Sequence, residues 1–157
     1  MLTQAEHRRL AERRAVAPEA HEAYLRGRYH TERWTPEDLD RAAEWFEEAA
    51  RRDAGFAEPW AGLSYVSVLR ASAFGGDLTA DQQRALTSRG RAAVDRALAL
   101  DEAFDHGALH TYFITYEMSR SGGAGDPAAR SRQHFERAMA LSGGQQAGPM
   151  VSFAEAV

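Results

Sequence analysis

One short pattern recurs along the chain and restricts its fold more than any other feature. A bulky apolar residue is followed by an acidic residue and then, three positions after the apolar one, by alanine. The copies contain Phe46 with Ala49, Val94 with Ala97, and Phe135 with Ala138, so the alanines lie 48 and 41 residues apart. Residues three apart share one face of an α-helix. Recurrence at such intervals indicates a repeated helical unit.

Start and stop signals predict the helices around these copies. Thr35 precedes a proline and two acidic residues, which predicts a helix from about residue 36 to 52. Thr79 and Gln82 have capping-box spacing ahead of a helical run that ends near residue 100. Asp126 and the next proline precede a run that a Ser-Gly-Gly turn closes. Each copy of the pattern therefore lies in a capped helix.

Three further helical runs lie between the capped ones: "HEAYLRGRYH", "PWAGLSYVSVLRAS" and "GALHTYFITYEMS". The segment "SYVSVL" is short enough to be a strand on periodicity alone. Its helical neighbours favour helix, and we expect an all-α fold in one domain over residues 1–157. A final apolar stripe at Met150, Phe153, Ala154 and Val157 predicts a last helix that belongs to an incomplete repeat.

Composition excludes several classes of function. Lysine, asparagine and cysteine are absent, which removes a phosphate-loop lysine, a Schiff-base lysine and a thiolate nucleophile. The net charge is −4, and the arginines of "HRRLAERR" are interleaved with glutamate, so we expect no nucleic-acid partner. No apolar run approaches the roughly 20 residues that span a bilayer. We expect a cytoplasmic protein for the chain as it stands, and a periplasmic one if a leader was removed.

Two patterns are candidates for a metal site or a phosphate site. His106 and His110 are four residues apart with Asp105 adjacent, a spacing that could place two imidazoles on a metal ion. No third ligand is evident, so we predict no metal site. The glycine-rich turns "FGGD" and "SGGAGD" could cradle phosphate, but each ends in an aspartate that repels an anion. We therefore predict no cofactor and no catalytic residue.

The segment "AAEWFEEAARRDAGFAEPWAGL" resembles tetratricopeptide repeats. Ala42, Phe46 and Ala49 match the signature of the second helix, and Trp60 and Leu63 match the start of the next repeat. The resemblance implies helical hairpins stacked as a short right-handed α-solenoid. The chain departs from the family in its long intervals and in lacking proline after the aspartates that end two of the helices.

Two narrower resemblances suggest different functions. Residues 101–157, with "HFERAMALSGG" and "VSFAEAV", are similar to the TatT component of TRAP transporters. That resemblance implies a periplasmic helical-repeat protein that works beside the substrate-binding protein of a secondary transporter for organic anions. Residues 18–75 are similar to tetratricopeptide regions of bacterial cyclases, kinases and transcriptional regulators. We expect a non-catalytic binding module of the first kind, with a sensory or regulatory fragment as the alternative.

The tetratricopeptide resemblance also implies a binding groove, because the first helix of each hairpin lines the concave face. Four aromatic, two aliphatic and two oppositely charged side chains on that face would favour an apolar peptide, a partner helix or a small amphipathic ligand. The alternative is that some of them are core residues. The last helix is expected to drive formation of a small homo-oligomer. The groove residues are Tyr24, Arg28, Tyr65, Leu69, Leu109, Phe113, Tyr116 and Glu117.

Overall fold

The computed structural model describes residues 15–119 and 125–156, and every regular element in those ranges is helical. The all-α prediction is confirmed, and "SYVSVL" lies within a helix. The segment "HRRLAERR" and Val157 lie outside the described residues. The α-helices are α1 (Pro18–Thr31), α2 (Pro36–Arg52), α3 (Ala57–Ser72), α4 (Ala80–Leu100), α5 (Ala108–Ser119), α6 (Pro127–Ser142) and α7 (Gly148–Ala156). A 3-10 turn, Phe104–Gly107, precedes α5.

The predicted caps begin and end the helices as expected. The Thr35 hydroxyl accepts a hydrogen bond from the Asp38 amide at 3.1 Å. Thr79 and Gln82 form both hydrogen bonds of a capping box at the start of α4. The Asp126 carboxylate accepts from two amides of α6, and Gly143 ends that helix at a φ of 60°. Each contact satisfies a backbone group that a helix end leaves without an internal partner.

Consecutive helices pair as antiparallel hairpins. The Ala17 amide at the start of α1 donates to Asp53 Oδ2 at the end of α2 (3.2 Å), while His30 and Asp38 meet at the opposite end. Helix α3 packs on α4 and α5 on α6. Helix α2 also packs on α3, which joins the first hairpin to the second, and α7 covers parts of α5 and α6. The stacking of these hairpins as a right-handed tetratricopeptide solenoid stays a prediction.

The turn between α3 and α4 is held by a buried arginine. Arg70 is 4% exposed, and its guanidinium donates two hydrogen bonds to the Asp77 carboxylate, at 2.9 and 2.7 Å. It also donates to the Phe74 carbonyl and forms an ion pair with Asp40 on α2. This pairing lowers the pKa of Asp77. The long turn that extends the first repeat interval, residues 49–97, is therefore closed by side-chain contacts.

The first hairpin meets the second around the Phe46 ring. Phe46 is 2% exposed in a core cluster with Leu39, Leu63 and Val66. A Cβ atom added to Gly27 on α1 would lie 2.6 Å from this ring, and one added to Gly62 on α3 would lie 2.7 Å from it. Both distances are too short for real contacts, so α1 and α3 approach the ring only because glycine occupies these positions.

We expect Gly27→Ala to destabilise the protein by roughly 1–3 kcal/mol, because the new methyl group overpacks the Phe46 ring. The gain in helix propensity, about 1 kcal/mol, does not offset this cost. Urea denaturation measures the free energy of unfolding.

The control is Gly76→Ala, where an added Cβ has no atom within 4 Å and the effect should be small. In a Phe46→Leu background, where the side chain is smaller, Gly27→Ala should lower the free energy of unfolding by less than it does in the parent. A Gly27→Ala variant as stable as the parent would contradict the close packing.

Candidate ligand-binding groove

An apolar cleft of about 370 Å³ lies between α3 and α5. No ionisable acidic or basic side chain except the tyrosines contributes to its wall. Burial raises the pKa of Tyr112, so its phenol is neutral at physiological pH. The cleft is lined by Ala61, Ser64, Tyr65, Val68, Leu69, Ser72, Val94, Phe104, Ala108, Leu109 and Tyr112.

A second cleft, the aromatic cleft, adjoins it between α1 and α3 and has a volume of about 410 Å³. It shares Ala61, Tyr65 and Phe104 with the apolar cleft, so the two form one groove along both sides of α3. Unlike the apolar cleft, it contains charged side chains. It is lined by Tyr24, Arg28, Thr31, Glu32, Trp34, Phe46, Glu58, Ala61, Gly62, Tyr65 and Phe104.

Phe104 reaches the groove from a bend in the backbone before α5. Asp105 and His106 have φ values of 44° and 56°, and Gly107 has 89°. Left-handed backbone is unfavourable for side chains other than glycine, asparagine and aspartate, and the surrounding structure must hold it in place. An added Cβ on Gly107 would lie 3.0 Å from Leu141 Cβ on α6, so the bend sits closely on the third hairpin.

The structure brings five of the eight predicted groove residues to these clefts. Tyr24, Arg28 and Tyr65 line the aromatic cleft, while Tyr65, Leu69 and Leu109 line the apolar cleft. Tyr65 is 51% exposed. Tyr24 is half-buried against the rings of Phe46 and Phe56, with centroids 5.8 and 5.2 Å away. A binding role for each of these residues stays a prediction.

The other three predicted residues, Phe113, Tyr116 and Glu117, also lie on α5 but line neither the apolar nor the aromatic cleft. Phe113 is 2% and Glu117 3% exposed, and Phe113 stacks on His134 of α6 at 4.7 Å. Tyr116 is half-buried below the Arg91 guanidinium, 4.1 Å from its ring centroid. Phe113 and Glu117 therefore contact neighbouring helices instead of a solvent-filled groove, which is the core alternative that the sequence left open.

Sequence reasoning missed several residues that line the groove. Phe104 and Trp34 lie in connecting segments, where helical periodicity gives no information about direction. Tyr112 and Val68 are one turn from the predicted positions on their helices. A large aromatic residue immediately before a Gly-containing bend was the available signal for Phe104, since such a residue rarely remains fully solvated.

The buried Glu117 joins α4, α5 and α6 electrostatically. Arg130 Nε donates to its carboxylate at 2.6 Å, and Arg91 lies 3.6 Å from it. The Arg91 guanidinium also lies over the Phe113 ring, 4.5 Å from its centroid. A buried carboxylate requires such pairing, because an uncompensated charge in this environment would be strongly destabilising.

A pair of histidines continues this polar cluster. His110 Nδ1 and His134 Nδ1 are 2.9 Å apart, and His110 Nε2 is 3.2 Å from Glu102. Arg137 lowers the pKa of Glu102 to about 2, so this carboxylate is ionised and accepts a hydrogen bond from the Nε2–H of His110. His110 Nδ1 then accepts, and His134 Nδ1 donates. Burial lowers the pKa of both histidines, which keeps both rings neutral.

The spacing of His106 and His110 on one helix, considered as a possible metal site, is not realised. His106 lies in the exposed bend before α5, whereas His110 is buried on α5 itself. Among the described residues, no group of three or more His, Cys, Asp or Glu side chains is arranged to hold a metal ion. The expected absence of catalytic residues is not tested by this geometry.

No helix in the described ranges is both long and apolar enough to cross a membrane.

A sequence model of the family described as TRAP transporter T-component matches residues 3–157. No curated protein and no solved structure matches the chain. The match includes residues 101–157, where the TatT resemblance was noted, and also residues 18–75. The alternative of a signalling-protein fragment is not supported.

We expect stability to fall as the pH drops below about 6.5, because the unfolded histidines bind protons that folded His110 and His134 exclude. Folding lowers the pKa of both histidines. Their contribution to the free energy of unfolding is therefore complete above the pKa of an unfolded histidine. This contribution is lost as the pH falls toward the lower pKa values of the folded protein. Asp38 and Glu102, with pKa values of about 2, contribute to pH dependence only in more acidic solution.

Urea denaturation near neutral pH and at mildly acidic pH tests this expectation. His134→Phe preserves a ring against Phe113 but removes the histidine pair, so its stability should depend less on pH than that of the parent. His106→Asn, in the exposed bend, should keep the pH dependence of the parent. If the free energy of unfolding of His134→Phe depended on pH as strongly as that of the parent, the histidine pair would be ruled out as the source of the pH dependence.

Proposed function

Because the chain belongs to the TRAP transporter T-component family, we propose that it binds a small amphipathic ligand in the groove beside α3 and does not catalyse a reaction on it. One observation carries this proposal: the apolar and aromatic clefts lie next to each other and share Tyr65 and Phe104 as lining residues. Clefts of this size and apolar character are typical of small-molecule sites. One cleft without charge beside one with charge favours a ligand with two chemically different ends.

We also propose a partner protein, which binds a surface outside the two clefts. Leu25 and Tyr29 are 51% and 60% exposed on one face of α1. Exposed apolar residues that cluster in this way are characteristic of protein interfaces. We propose that this face meets the substrate-binding protein of the transporter. Family membership favours the extracytoplasmic setting over the cytoplasmic expectation.

Tyr65→Ala should weaken binding of a neutral apolar fluorophore, N-phenyl-1-naphthylamine, while the free energy of unfolding changes by less than about 0.5 kcal/mol. Tyr65 is half-exposed on the wall between the clefts, so its truncation removes contact area from a ligand without opening a cavity in the core. Fluorescence titration and urea denaturation measure the two effects.

The matched control is Tyr29→Ala, an exposed tyrosine that lines neither cleft and should bind the fluorophore like the parent. Tyr24→Ala should lower both binding and stability, since its ring packs on Phe46 and Phe56. Equal binding by the parent and Tyr65→Ala would argue against a ligand in the groove.

We propose that the chain forms a small homo-oligomer through the exposed residues of α7. Met150 and Val151 are 48% and 53% exposed, whereas Phe153 stacks on Phe135 with centroids 4.6 Å apart. Val151→Glu should therefore reduce the mass measured by light scattering without unfolding the chain. Phe153→Glu would also disrupt the contact with α6 and is the less informative variant. A parent that is monomeric at high concentration would exclude the oligomer.

A further inference from the structure

The charged side chains around the groove are predominantly acidic. Arg28, Glu32 and Glu58 line the aromatic cleft. A neighbouring cleft shares Arg28, Glu58 and Phe104 with it and adds Asp101, Asp105 and His106. Four carboxylates and one guanidinium therefore surround the ring of Phe104, and the local potential is negative.

These carboxylates are only weakly neutralised. The Arg28 guanidinium lies 3.8 Å from Glu32, beyond hydrogen-bonding distance, and both side chains are mostly exposed. Across residues 15–119 and 125–156, neither Glu58 nor Asp105 has an ion-pair partner within 4 Å. Glu58 is also half-buried, which strengthens its interaction with a nearby charge.

Aromatic rings surround the same space. Five of the eleven residues that line the aromatic cleft are aromatic: Tyr24, Trp34, Phe46, Tyr65 and Phe104. The face of an aromatic ring carries negative electrostatic potential and attracts cations, and recognition of quaternary ammonium groups commonly uses this interaction. Rings and carboxylates in one cleft therefore favour a positively charged group over a negative one.

The adjoining apolar cleft fits the remainder of such a molecule. Its walls carry aliphatic and aromatic side chains and no carboxylate or guanidinium. An alkyl chain loses no hydrogen bonds on entering it and gains from removal of apolar surface from water. A charged group would lose hydration there without a partner. The two clefts thus select opposite ends of one amphiphile.

We propose that the groove binds a single-chain amphiphile with a positively charged amine end, an inference that rests on the proposed function. The alkyl chain lies in the apolar cleft between α3 and α5, and the ammonium group lies in the aromatic cleft near Glu58. Phe104 and Tyr65 separate the two environments. An anionic cargo, which the resemblance implies for a TRAP transporter, is disfavoured in this groove by the same charges.

The experiment compares octyltrimethylammonium with octanoate, which present similar alkyl chains and opposite charges. Each competes with N-phenyl-1-naphthylamine on the parent protein at low ionic strength and below its micelle concentration. We expect the ammonium to bind about three- to tenfold more tightly. Added salt should reduce this preference, because the carboxylates lie near solvent.

Glu58→Gln removes the half-buried carboxylate with little change of shape and should weaken octyltrimethylammonium binding about threefold. Glu44→Gln makes the same change of charge on the exposed face of α2, outside both clefts, and should bind like the parent. Equal loss in both variants would show a general charge effect and overturn the site.

The outcomes separate this inference from the proposed function. If the parent binds the fluorophore but octanoate competes as well as octyltrimethylammonium, or neither competes, the charge preference is wrong and the groove still binds apolar ligands. If the parent does not bind the fluorophore or either amphiphile, the proposed function fails and this inference fails with it. Preference for the ammonium that Glu58→Gln abolishes would support the inference.

Discussion

The close approach of two helices to the ring of Phe46 is the constraint on which the rest of the structure depends. Gly27 of α1 and Gly62 of α3 meet this ring from neighbouring helices, and neither position has room for a Cβ atom. Glycine at both positions therefore allows α1 and α3 to reach contact distance of the same phenyl ring. Phe46 and Gly62 also line the aromatic cleft, so the packing that joins the first two hairpins defines the shape of the candidate site.

Residues of α5 have different roles in the third hairpin. Leu109 and Tyr112 line the apolar cleft, while Phe113 and Glu117 contact α4 and α6. The hydrogen-bonded charges around Glu117 specify one geometry, since any displacement would leave a buried charge without its partner. The bend before α5 packs against Leu141 of α6 and carries Phe104 to the point where the two clefts meet.

The helices and their ends were predictable because their causes are local. Thr35, Thr79 and Asp126 satisfy amides within three residues of themselves, so capping is visible in the sequence without any knowledge of the fold. The pattern around Phe46 likewise indicated close packing. Five of the eight predicted groove residues line the clefts, and they were chosen by aligning α1, α3 and α5 with the tetratricopeptide pattern.

By itself, the sequence determined an all-helical chain and the ends of its three capped helices, and it allowed recognition of the transporter-component family. Only the tertiary structure decided which polar residues are buried and which aromatic residues meet. Glu117 is on the predicted helix, but the positions of Arg91 and Arg130 on two other helices decide that it is paired and buried. Phe104 lies in a connecting bend, where direction depends on backbone angles that long-range packing imposes. Helix caps act over three residues, whereas burial and charge pairing depend on residues far apart in the chain.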